Sequence, residues 1–169
     1  FSTTNREISM DSDTKLALTY TAEEFFLTAM AAGYAAGREP ETVPGFPWAK
    51  LLAFEKGNFK LRDMWYSHPE SNQSAGTTTI WHKDVPIWQM SYEGWYEKAV
   101  IPTLVACLKK AYESRRFCGG RGVRVPSDFR YHNHPRGAGF TTFLGVESIF
   151  NPSDGKICGV HNYRGGMLI

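Results

Sequence analysis

His132 and His134 stand two apart in the stretch YHNHPRG. On a strand that spacing puts both imidazoles on one side, so the pair could give two ligands to a metal. A catalytic metal wants at least a third ligand and a shell of groups behind it. The next residues, Pro135, Arg136, Gly137 and Ala138, supply none. Glu147 and His161 lie further on and could complete a site, yet nothing in the spacing requires it. The expectation is no metal and no cofactor, with the two histidines on a surface or a pocket wall.

Two carboxylates are more informative. Asp63 falls in the row Phe59, Leu61, Asp63, Trp65, and Glu147 in the row Phe143, Gly145, Glu147, Ile149. At the strand period of two, each carboxylate shares its face with apolar side chains. A carboxylate on a core-facing row is costly unless it is paired or hydrogen-bonded. One account is a structural bridge, to Arg121 or another arginine. The other is a cavity in which both carboxylates hold a polar or cationic ligand between tryptophans. Gly145, beside Glu147, would leave room for a ligand or another backbone.

Other chemistry finds no support. The glycine loop Gly119-Gly120-Arg121-Gly122 follows a helical segment, where a phosphate cradle would precede one, and no Gly-Lys-Ser/Thr occurs. There is no G-x-S-x-G elbow, and Cys118 has no evident histidine partner. Cys107, Cys118 and Cys158 are odd in number and show no C-x-x-C spacing, which argues against a zinc ribbon or a disulfide scaffold. Free thiols in a reducing cytoplasm fit them best.

The elements that must position these residues follow from caps, turns and periodicity. Thr21-Ala22-Glu23-Glu24 has the form of a capping box, and Phe26, Met30 and Tyr34 form an apolar face before Gly37. A helix over 21–36 is expected. PETVPGFPW, with three prolines, reads as an irregular connection. LLAFEKGNFKLRDMWY reads as a hairpin about Gly57-Asn58, pairing Glu55 with Lys60, Phe54 with Leu61 and Leu52 with Asp63. TTTIWHKDVPIWQMSY is a second hairpin turning near Lys83-Asp84. Pro102 announces a helix whose stripe is Leu104, Leu108 and Ala111 or Tyr112, ending near Ser114. A strand over FRYHNH and a last hairpin joined by NPSDG complete the chain. The fold class is therefore α+β: helix, four strands, helix, three strands, in an antiparallel sheet with two helices on one face.

Composition agrees with one domain. The chain has 169 residues, 42% hydrophobic and 21% charged, with a net charge of +2. Residues 1–9 are expected to be a leader segment outside the fold, and 10–169 a single α+β domain. The aromatic share of 14%, including five tryptophans, suits a large core, a stacking pocket or a dimer face. Lys109, Lys110, Arg115, Arg116, Arg121, Arg124, Arg130 and Arg136 make a basic stripe opposed only by Glu113 and Asp128. A solvated face explains it more simply than nucleic acid. No run of eighteen apolar residues exists to span a membrane.

The strings "EKGNFKLRDMWY", "SAGTTTIWHKDVPIWQMSYEG" and "GVESIF…GGMLI" resemble an uncharacterised bacterial domain family. Its members occur alone or C-terminal to helix-turn-helix regulators. The resemblance covers residues 21–169 and matches at Asp63, Trp88, Tyr92, Gly94, Glu147, Gly165 and Gly166. It implies no assigned activity, and this sequence contains no helix-turn-helix segment.

The leading expectation is a domain that binds or senses a small organic molecule and is not an enzyme. Its pocket is drawn from Asp63, Trp65, Trp88, Tyr92 and Glu147, with Arg121 as charge partner. A second reading is an enzyme with a Glu147/Asp63 acid–base pair. A third is a homodimeric interaction protein using exposed tryptophans. The setting expected for all three is the cytoplasm.

Overall fold

The computed structural model describes residues 10–117 and 123–169. The leader expected over 1–9, the glycine loop and Arg121 lie outside the described residues. The chain forms an eight-stranded antiparallel sheet in the order β1-β2-β3-β4-β5-β8-β7-β6. The strands are β1 (Glu41–Thr42), β2 (Ala49–Lys56), β3 (Phe59–Ser67), β4 (Gln73–His82), β5 (Val85–Tyr96), β6 (Arg130–Gly137), β7 (Thr142–Phe150) and β8 (Ile157–Met167). Two helices, α1 (Ser12–Ala32) and α2 (Ile101–Glu113), pack on each other and on one face of the sheet. Among the described residues, no helix is long and apolar enough to cross a membrane.

The α+β class and the antiparallel sheet are as expected, but the strand count is eight, with five before α2 instead of four. The additional strand, β1, is a two-residue piece of the proline-rich connection. Glu41 and Thr42 precede Pro44 and pair with Leu51 and Lys50 at the sheet edge, where proline interrupts little.

The start of α1 also differs. Thr21 is not an N-cap; its hydroxyl bonds the Ala17 carbonyl one turn back, in mid-helix. The cap is Asp11, whose carboxylate accepts from Thr14 N–H at 2.9 Å and Thr14 Oγ1 at 2.7 Å. The Thr21–Glu24 pattern is overridden because KLALTYT continues the helix from that earlier, doubly bonded cap. At the other end α1 stops at Ala32. A 3-10 turn, Tyr34–Ala36, follows and closes on Gly37 at φ 71°.

Turn chemistry fixes the strand register. Gly57, at φ 60°, opens the two-residue turn between β2 and β3, and Glu55/Lys60, Phe54/Leu61 and Leu52/Asp63 pair as expected. Lys83 and Asp84, at φ 50° and 64°, form the turn between β4 and β5. Lys60 ties that turn down through Asp84 at 2.5 Å. Pro102 sits in the first turn of α2, which is capped at Ser114.

Between the helices and one end of the sheet lies an aromatic core. Phe26 of α1 meets Trp88, Tyr112, Phe117 and Phe140, with ring centroids 5.1 to 5.9 Å apart. Trp88 stacks on Phe140 at 4.7 Å and 8°, and its indole N–H donates to the Phe140 carbonyl at 2.9 Å. Such ring pairs add about 0.5–1.5 kcal/mol each beyond their burial. Arg115, just past α2, binds Glu24 through both its carboxylate and its backbone carbonyl, fastening the two helices together.

Candidate functional site

The inner face of the sheet carries Asp63, Trp65, Thr78, Met90, Tyr92 and Tyr96, then His161, Tyr163, Glu147 and Asn133 on the far strands. Together with Met30, Tyr34, Leu104 and Leu108 they line a cavity of about 140 Å³ beneath the helices. A dry cavity of about 150 Å³ holds benzene, so this one suits a molecule of that order.

Three tyrosines are placed by three glycines. Tyr92 of β5 is paired across the strands with Gly76 of β4, Tyr96 of β5 with Gly159 of β8, and Tyr163 of β8 with Gly145 of β7. A β-carbon at Gly76 would stand 2.6 Å from the Tyr92 hydroxyl. One at Gly159 would stand 2.1 Å from Cδ1 of Tyr96, and one at Gly145 would stand 2.1 Å from the Tyr163 hydroxyl. Each ring therefore lies over the neighbouring strand, in the space a side chain would fill. Its hydroxyl reaches a polar residue one strand further on: Tyr92 to Asp63, Tyr96 to Glu147, Tyr163 to Asn133.

Asp63 is 6% exposed. Its Oδ1 accepts from Tyr92 at 2.7 Å and Thr78 at 2.9 Å, while Oδ2 accepts nothing. No partnerless side-chain oxygen or nitrogen among the described residues is sealed from open space, so Oδ2 faces the cavity. Burial raises the Asp63 carboxyl to about 6, and the two hydroxyl donors only partly offset it.

Glu147 is held differently. Oε1 accepts from Tyr96 at 2.6 Å and Oε2 from Tyr131 at 2.8 Å, and Asn133 Nδ2 donates to the Tyr131 hydroxyl at 3.0 Å. It keeps some accessible surface, but that surface lines the cavity. Burial raises its pKa as well, against the two hydroxyls. Tyr92, Tyr96 and Tyr131 are pushed well above the ordinary phenol value by burial and by the carboxylates, so all three stay protonated and donate.

His161 stacks on Tyr96 at 4.6 Å and lies 6.0 Å from Tyr92, with Nε2 3.2 Å from Ser74 Oγ. Burial lowers its pKa to about 4, so the ring is neutral at pH 7. Tyr34 is pushed up to about 12 by burial and by the charges of Glu147 and Asp63. It lines the cavity, with its ring edge-on to Trp65 at 6.2 Å.

Of the residues singled out from sequence, Asp63, Trp65, Tyr92 and Glu147 line this one cavity. Trp88 does not; it is fully buried in the aromatic core next door. Arg121 lies outside the described residues. Neither carboxylate has a cation in its salt-bridge range among the described residues. Among the described residues, tyrosine and threonine hydroxyls hold both carboxylates. His132 and His134 are exposed, rings 6.0 Å apart, on the outer face, while Tyr131 and Asn133, which alternate with them, point inward with Glu147 and His161. The four candidate ligands thus fall on opposite sides of the sheet, and no cluster of three metal-ligating side chains occurs among the described residues.

Sequence reasoning missed Tyr34, Tyr96, Asn133 and Tyr163 as members of the site and Tyr131 as a partner of Glu147, and it weighed His161 only as a metal ligand. A signal existed for Tyr96: it lies four residues after Tyr92, on the same face of β5.

A family model described as a domain of unknown function, DUF5680, matches residues 53–168. This is more than half of the chain, which therefore belongs to that family. The match takes in every strand that carries the cavity's polar groups. No curated protein and no solved structure matches the chain.

Proposed function

We propose that this domain binds a small organic molecule in the cavity between its helices and its sheet. One observation carries the reading: a buried carboxylate, Asp63, holds one oxygen on two hydroxyls and turns the other into an aromatic-lined space. A purely structural carboxylate would spend both oxygens on internal donors, because a buried unmade hydrogen bond costs about 1–3 kcal/mol. Sensing, in the cytoplasm, is the use we propose for such binding.

The geometry gives less support to an acid–base enzyme. Asp63 on β3 and Glu147 on β7 lie four strands apart in the sheet order, and each is held by its own set of hydroxyls. Proton transfer at one reacting group needs both within hydrogen-bond reach of it. A dimer built on tryptophans has one exposed ring to work with, Trp48.

Filling the cavity tests the proposal. Small molecules that raise the melting temperature of the wild type should lose their effect in Leu104→Phe and Leu108→Phe, whose added rings occupy the same space. Thermal shifts that survive both substitutions would place binding elsewhere and refute the reading.

A further inference from the structure

Building on that reading, we infer that the ligand is a small organic cation, a protonated amine on a compact apolar body, with its charge held by Asp63 Oδ2. The charge balance of the cavity comes first. Among the described lining residues the ionisable groups are Asp63, Glu147, His161 and tyrosines, with no lysine or arginine. His161 is neutral and the tyrosines keep their protons, so any net charge that the described residues place on the wall is negative. An anionic ligand would be repelled from both ends of the cavity.

The second observation is the asymmetry of Asp63. Tyr92 and Thr78 both donate to Oδ1, leaving Oδ2, on a side chain more than nine-tenths buried, without a donor and facing the void. An ammonium N–H would complete it with a charge-assisted bond. Glu147 differs, since each of its oxygens already holds a tyrosine hydroxyl; it contributes field and not the contact.

The walls suit the same ligand. Trp65 follows Asp63 by two residues on the same face of β3, and Tyr34 stands edge-on to it. Aromatic faces attract cations within about 6 Å. Met30 and Met90 line the space nearby, and their thioethers adapt to an irregular apolar body. The cavity's size limits that body to about one ring.

Three probes of one shape test the inference: benzylammonium, benzyl alcohol and benzoate, titrated into the protein by calorimetry at pH 7.5. Benzylammonium should bind at least tenfold more tightly than benzyl alcohol, benzoate should not bind, and Asp63→Asn should erase the preference for the cation. Asparagine keeps an acceptor for Tyr92 and Thr78, so the fold should survive. If that variant does not fold, the comparison on the wild type alone decides, because the alcohol shares the amine's shape without its charge. Equal or tighter binding of the alcohol or of benzoate overturns the inference while leaving a ligand cavity in place. Binding of benzylammonium that Asp63→Asn leaves intact overturns it too, as does failure of all three probes; the filled-cavity variants then judge the cavity separately.

Discussion

Tyr96 reaches Glu147 across an entire strand. The ring leaves β5, passes over Gly159 of β8, and ends with its hydroxyl 2.6 Å from Oε1 on β7. The same construction joins Tyr92 to Asp63 over Gly76 in the opposite direction. One strand thus sends out two tyrosines, four residues apart, that hold the two buried carboxylates at opposite sides of one cavity.

Gly159 should therefore be intolerant of even one added carbon. In Gly159→Ala the new methyl meets Cδ1 of Tyr96 at 2.1 Å, so the ring must move and the bond to Glu147 is lost. Overpacking of this kind costs about 1–3 kcal/mol. The cost should shrink markedly in a Tyr96→Leu background, where there is no ring to displace. A urea-denaturation double-mutant cycle measures this, and additive costs would show that Gly159 acts independently of Tyr96.

Tyr96→Phe should destabilise by about 1.5–3 kcal/mol, because it removes one of the two hydroxyls that hold a buried carboxylate. With one donor fewer, the Glu147 pKa should rise further. Carboxyl-selective NMR titration reads the shift; an unmoved Glu147 would mean the hydroxyl contributes little.

Opposed titrations should govern the pH dependence. The folded Asp63 carboxyl lies near 6 against 3.8 for the free group, so its contribution is full below about 4 and lost as pH rises through 6. Glu147, also raised, has the same sign. His161 is lowered from 6.5 to about 4, and its contribution is present above about 6.5 and lost as pH falls toward 4. The slopes oppose each other at up to about 1.4 kcal/mol per pH unit per group. The charged and titratable groups facing Asp63 are Tyr34 and Tyr92, both protonated here, with Glu147 and His161 beyond. Asp63→Asn should thus make stability climb more steeply from pH 4 to 6 than in the wild type. Parallel profiles by urea denaturation would contradict this assignment.

The two caps of α1 can be told apart directly. Asp11→Ala should cost about 1 kcal/mol, the usual worth of an N-cap, whereas Thr21→Ala should be near neutral or slightly stabilising, since alanine is the better mid-helix residue. Reversed values would restore the helix start at Thr21.

The register of the first hairpin was legible because Gly57-Asn58 dictates it, and register puts Asp63 on the core face; Lys83-Asp84 placed the second turn but not the register shift at Ile80/Trp81. Glu147 was legible by the same alternation within Phe143–Ile149. The partners were not. Tyr96 reaches Glu147 only because β8 inserts between β5 and β7, and no local pattern announces that order. Trp88 reads like Trp65 in sequence, each a tryptophan within an aromatic-rich strand. Its burial depends on Phe26 and Phe140, which are far away along the chain. The capping box at Thr21 misled because local cap chemistry is sufficient for a helix start but does not exclude an earlier one.

The central claim is that the cavity beside Asp63 holds a small molecule. Its most direct test is a native mass spectrum of protein purified gently from cells, beside a denatured spectrum of the same sample. The account predicts a single mass excess of roughly one ring's worth of atoms, lost on denaturation and absent from Asp63→Asn. A native mass equal to that of the chain alone, unchanged when cell extract is added back, would contradict it.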